Sequence, residues 1–170
     1  RGIVILQTTR TSQVTKILMS NHWIGVDLGG TKILAGLFDD QFRPLARCKK
    51  AVDVAQGASG VFAEIAVAVE ELFETSGVDR GSVRGLGMGI PGQVDPRTGQ
   101  VRYAPNLEWR DLQLASVTPA SWTWPLHFEN DVRMGTYGEF THGAAKGAKH
   151  VLGIFVGTGV GGGIILNGEL

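Results

Sequence analysis

Two short, glycine-dense turns, each entered from a strand-like run, constrain this chain more than any other feature. Trp23 to Leu28 alternates and is rich in strand formers, Gly29-Gly30 interrupts it, and Lys32 to Phe38 resumes it. That pattern reads as strand, tight turn, strand. Much later, Val151 to Val156 reads as a buried strand, Gly157 to Gly163 as a glycine loop, and Ile164 to Leu166 as a strand that resumes almost at once. Glycine in both turns removes the Cβ that would keep backbone N–H groups away from an anion. The chain carries 25 glycines in 170 residues, roughly twice average usage.

Between the two turns the pattern alternates strands with helices. Leu45 to Val54 reads as a third strand. Val61, Phe62, Ile65, Val69, Leu72 and Phe73 recur at three- and four-residue steps opposite Glu64, Glu71 and Glu74, an amphipathic helix stopped by Gly77. Val83 to Ile90 reads as a strand ended by Pro91-Gly92, and residues 104–124 as loop. Leu126 to Phe128 is a short strand, after which Asn130-Asp131 caps a helix running to about His142. Gly135 and Gly138 lie inside that helix, and close packing on a sheet is the expected reason. The fold class is therefore α/β with a mixed sheet.

Three elements carry groups suited to phosphate and sugar. In Asp27-Leu28-Gly29-Gly30-Thr31-Lys32, Asp27 at the strand end is placed to hold magnesium directly or through water, and Lys32 to neutralise phosphate. The same hexapeptide also reads as an ordinary hairpin whose Asp is a turn former. In Gly157-Thr158-Gly159 the Thr158 hydroxyl adds a donor to the backbone amides. The third element joins Asn106 to Phe128-Glu129-Asn130-Asp131. Carboxylate and amide side chains suit a polyol, and phosphoryl transfer to an alcohol needs an Asp that orients the hydroxyl and takes its proton. Asp131 fits that base, and it equally fits a helix N-cap with Asn130; the two readings are compatible.

Several classes are excluded. Gly157, Gly159 and Gly162 satisfy G-x-G-x-x-G, as do Gly87, Gly89 and Gly92. The first match runs on into a strand and the second into Pro91, whereas a dinucleotide fold needs a helix there. No Walker A loop and no G-x-S-x-G occurs, and His22, His127, His142 and His150 show no ligand spacing. Lys plus Arg equals Asp plus Glu at 16 each, so no overall field favours nucleic acid. Apolar runs near the N-terminus are too short for a membrane span, and the lone Cys48 makes a reducing, cytoplasmic setting the simpler expectation. Residues 1–18 lack a clear period and read as an appended arm.

Taken in order, Ile24-Gly25-Val26-Asp27-Leu28-Gly29-Gly30-Thr31-Lys32, Gly89-Ile90-Pro91-Gly92, Pro105-Asn106-Leu107, Glu129-Asn130-Asp131 and Gly157 to Ile165 resemble the ROK family of sugar kinases and related repressors. The resemblance implies an actin-like ATPase (ribonuclease H-like) fold, with one unit at 19–142 and the start of a second α/β unit at 143–170. It implies ATP and Mg2+ as cofactors and a hexose as substrate, glucose first, with N-acetylmannosamine and fructose as alternatives. It makes Asp131 the base on the 6-hydroxyl, Asn106 and Asn130 ligands of sugar hydroxyls, and Asp27 the magnesium residue. Gly29, Gly30, Thr31, Lys32, Gly157, Thr158 and Gly159 would surround the phosphates. The family's later Gly-Glu-x-Gly-His segment and its Cys-rich zinc site have no counterpart here, so the expectation is a piece of a longer kinase, homodimeric when full length, with zinc confined to the later half. A sugar-responsive repressor and an inactive fragment are the alternative readings.

Overall fold

The computed structural model of the chain describes residues 21–157 and 159–170. The arm at 1–18 and Thr158 lie outside those residues. Burial alternates along β1 (His22–Leu28), so Ile24, Val26 and Leu28 face the core while Trp23 and Asp27 face the other side. The chain then turns at Gly29, whose N–H donates to the Lys32 carbonyl at 2.8 Å. β2 (Lys32–Phe38) and β3 (Pro44–Ala51) complete an antiparallel meander, with Asp27 paired to Leu34 and Leu34 to Lys49. The third strand stops at Ala51, and a single 3-10 turn occupies Val54–Gln56.

The apolar stripe predicted from the sequence is the buried face of α1 (Gly57–Ser76), which packs over β2 and β3. Gly77 ends it in the left-handed region, donating to the Phe73 carbonyl at 2.9 Å. α1 returns the chain to β4 (Val83–Ile90), parallel to β1. β5 (Gln93–Asp95), β6 (Gln100–Ala104) and β7 (Trp109–Gln113) form a separate antiparallel sheet, after which β8 (Leu126–Asn130) joins β4 in parallel. The main sheet therefore runs β3-β2-β1-β4-β8. α2 (Asp131–Thr141) leaves β8 and packs against a hairpin of β9 (Val151–Val156) and β10 (Val160–Ile165).

Three further expectations change. The loop-like stretch 104–124 contains β7 and 3-10 turns at Pro105–Leu107 and Leu114–Ser116. β7 is too short to show its period without its partner β6. β9 has the expected bounds but is not buried, with Leu152 66% and Val156 80% exposed. The second glycine loop is shorter than expected, because β10 already begins at Val160. Gly153 and Gly163 sit opposite each other in the hairpin, and a Cβ on either would strike the buried Thr136 side chain of α2. Those glycines serve close packing, not a turn.

Candidate ligand cleft at the strand ends

β1, β4 and β8 run parallel, so their carboxyl ends meet at one rim, where α/β sheets bind ligands. The pairing aligns Asp27 with Gly89 and Gly89 with Glu129, and Asn130 and Asp131 follow at the start of α2. Gly89 keeps this row open, since a Cβ there would come within 3.3 Å of the Asp131 Cα. The rim opens into a cleft of about 720 Å³ that brings together Asp27, Asn106, Asn130, Asp131, Gly157 and Gly159. Val132, Met134 and Phe155 supply its apolar lining.

The corner at Asn130 is tightly specified. Asn130 is the N-cap of α2 and Asp131 the first helical residue, so the capping role falls to Asn130. Asn130 Oδ1 accepts from the Arg133 N–H at 3.0 Å, while Nδ2 donates to the Gly92 carbonyl at 3.0 Å and to Asp131 Oδ1 at 2.9 Å. Asp131 Oδ1 also accepts the Val132 N–H at 2.9 Å. Its Oδ2 has no hydrogen-bond partner among the described residues and is the oxygen free to meet a ligand. Gly92 holds its carbonyl toward Asn130 with φ +107, and a Cβ would collide with the backbone of Tyr103 and Ala104. Only glycine fits both demands.

Asp27 feels Asp131. Its pKa is raised, first because surrounding protein strips part of its hydration and then by the negative charge of Asp131, with Lys32 opposing. The carboxylate is solvent-exposed, so the loss of hydration is partial. Two carboxylates directing negative potential into one cleft suit a divalent cation. Among the described residues no group of three or more His, Cys, Asp or Glu side chains gathers. A cation there would be completed by water and phosphate oxygens, the usual habit of magnesium.

The remaining predicted residues divide. Asn106 lies in the cleft on the 3-10 turn Pro105–Leu107, and its backbone oxygen would lie 3.0 Å from a Cβ on Gly30. The first glycine turn therefore sits against the Asn106 turn. Gly29, Gly30, Thr31 and Lys32 flank the cleft without lining it. Glu129 and Arg133 form an ion pair that the sequence marks only by its i, i+4 spacing. The buried Glu129 carboxylate accepts the Asn130 N–H at 2.8 Å and Arg133 Nε at 3.0 Å. Among the described residues no helix is long and apolar enough to cross a membrane.

The sequence model described as the ROK family matches residues 23–170. The chain is 32% identical over 153 residues to a glucokinase of Halalkalibacterium halodurans, covering 89% of this chain and 46% of that protein. It is 35% identical over 86 residues to the xylose repressor of Bacillus subtilis, covering 51% of this chain and 22% of the repressor. A solved ROK family glucokinase from Streptomyces griseus, in complex with glucose and AMPPNP, superposes with a TM-score of 0.78 at 38% identity, covering 88% of this chain and 46% of that one. The architecture is thus the α/β, actin-like ATPase fold of those kinases. The chain spans about half the length of the glucokinases it matches.

Proposed function

The chain belongs to the ROK family, and from that premise we propose that the protein containing it transfers a phosphoryl group from ATP to a hexose hydroxyl, with glucose the first candidate. The observation that carries this reading is the convergence of Asp27, Asn106, Asn130, Asp131 and the Gly157–Gly159 turn, drawn from four separate stretches of sequence, on one cleft. In that reading Asp131 presents Oδ2 to the sugar's 6-hydroxyl and takes its proton as the new bond to phosphorus forms. Its other oxygen stays pinned by Asn130 Nδ2 and the Val132 N–H. Asn106 and the remaining lone pair of Asn130 Oδ1 orient neighbouring hydroxyls. Gly157 and Gly159, which line the cleft, and the Gly29–Lys32 turn that flanks it would surround the phosphates. Asp27 would hold Mg2+, whose charge neutralises phosphate when bound. Residues 143–170 would begin the second α/β unit, and closure of the two units would exclude water from the transfer.

In the full-length polypeptide, Asp131→Asn should keep sugar binding and lower turnover by about 10²–10⁴-fold, the typical worth of a positioned base. Unchanged turnover removes Asp131 from the base role. A sugar-responsive repressor is the second reading, favoured by the similarity to the xylose repressor. Sugar binding without turnover in the wild type, together with DNA binding, would select it.

A further inference from the structure

Arg133 sits one turn into α2, and its guanidinium reaches back along the helix to the end of β8. Nε donates to Glu129 Oε1 at 3.0 Å and Nη2 approaches Glu129 Oε2 at 3.5 Å, a side-on, two-point pairing. The same Oε1 accepts the backbone N–H of Asn130 at 2.8 Å. The Arg133 backbone N–H in turn donates to Asn130 Oδ1 at 3.0 Å. Arg133 therefore grips Asn130 from both ends: its main chain holds the side-chain amide, and its side chain holds the carboxylate that fixes the main-chain amide. Asn130 passes that constraint to Asp131 through its Nδ2 donation at 2.9 Å.

We propose that Arg133 is a positioning residue for phosphoryl transfer, locking Glu129 so that the Asn130–Asp131 corner presents Asp131 Oδ2 to the acceptor hydroxyl in one orientation. The inference rests on the kinase reading above. Its physical basis is the burial of Glu129, whose side chain is only 8% exposed while the Arg133 side chain is 42% exposed. Without the guanidinium, a buried carboxylate keeps a single backbone donor, and its cheapest relief is to swing toward water. That swing removes the acceptor from the Asn130 N–H and frees the peptide between β8 and α2 to rotate. Displacing a reacting group by about 1 Å is enough to cost about 10²-fold in rate. The phosphate-binding side of the cleft draws on other segments, so the nucleotide should bind as before.

The test uses the full-length polypeptide and reads steady-state kinetics with ATP and glucose, alongside amide hydrogen exchange at Asn130. Arg133→Ala should lower kcat by about 10-fold to 100-fold, leave KM for ATP unchanged and accelerate exchange at the Asn130 amide. Arg133→Lys, which keeps the cation without the two-point grip, should fall between wild type and Arg133→Ala, and it carries the test if the alanine variant does not fold. Placed in an Asp131→Asn background, either substitution should cost no further activity, because Arg133 acts through Asp131. An unchanged kcat, an unchanged Asn130 exchange rate, or losses that multiply with Asp131→Asn each overturn the inference and leave the kinase reading standing. A wild type that turns over no sugar overturns the kinase reading, and this inference with it.

Discussion

Against β2 and β3, α1 lays down large side chains, among them Phe62, Ile65 and Leu72, all buried. Against β9 and β10, α2 packs the small side chains of Val132 and Thr136, because the hairpin offers Gly153, Gly161 and Gly163 where a strand would ordinarily offer side chains. The first contact is a volume-filled core and the second a seam in which Val132 and Thr136 of α2 rest directly on hairpin backbone. The outer face of the hairpin keeps Leu152, Ile154 and Ile164 exposed. On the kinase reading proposed above, the core region carries stability and the seam carries alignment, since Asp131 is the first residue of the helix that the seam seats.

The largest effect should come from emptying the core. Phe62 is 1% exposed and its ring stacks on Trp109 at 6.2 Å. Phe62→Ala removes that volume from between α1 and the segment after Asn106, and it should cost about 3–5 kcal/mol in denaturant unfolding. A loss under 1 kcal/mol would mean that the two regions are less different than their packing implies.

A smaller but more telling change adds one methyl to the seam. Gly153→Ala drives a Cβ into Thr136, whose Oγ1 is tied to the Val132 carbonyl at 2.9 Å. Overpacking of this kind typically costs about 1–3 kcal/mol. In the full-length polypeptide, turnover should fall further than stability does, because α2 must shift and Asp131 moves with it. Adding Thr136→Ala should restore part of both. If Gly153→Ala lowers stability while turnover per folded molecule is untouched, the seam does not align the site.

The two regions also differ in how readily the sequence declares them. The α1 stripe is legible because a helix covering a sheet repeats its apolar residues at 3.6-residue intervals, and Gly77 marks its end. The His22–Phe38 hairpin shows itself by alternation around Gly29-Gly30. The cleft residues Asp27, Asn106, Asn130 and Asp131 are legible as motifs, and what the structure adds is that they share one cleft. The seam is not legible in that way. Gly161 to Gly163 reads as a loop because local composition cannot distinguish glycine that turns from glycine that admits a neighbouring helix, a distinction made only by Val132 and Thr136 across the interface. β7 is hidden for the same reason, since its partner β6 lies across an intervening turn.

The smallest expected effect separates the two glycines inside α2, which sequence alone treats alike. A Cβ on Gly135 would meet the Phe155 ring at 3.0 Å, so that glycine belongs to the seam, with the hairpin and not the main sheet as its partner. A Cβ on Gly138 would have nothing within 4 Å. Gly138 is mid-helix, needs no left-handed conformation, and exposes backbone to water without a packing gain. Gly138→Ala should therefore stabilise the chain by about 0.5–1 kcal/mol, the helix-propensity difference, read as a rise in the urea midpoint at constant slope. Gly135→Ala should gain the same propensity and lose it again to the Phe155 contact, ending neutral or destabilised. Equal stabilisation by both substitutions would show that the Phe155 ring yields freely and that the seam ends before Gly135.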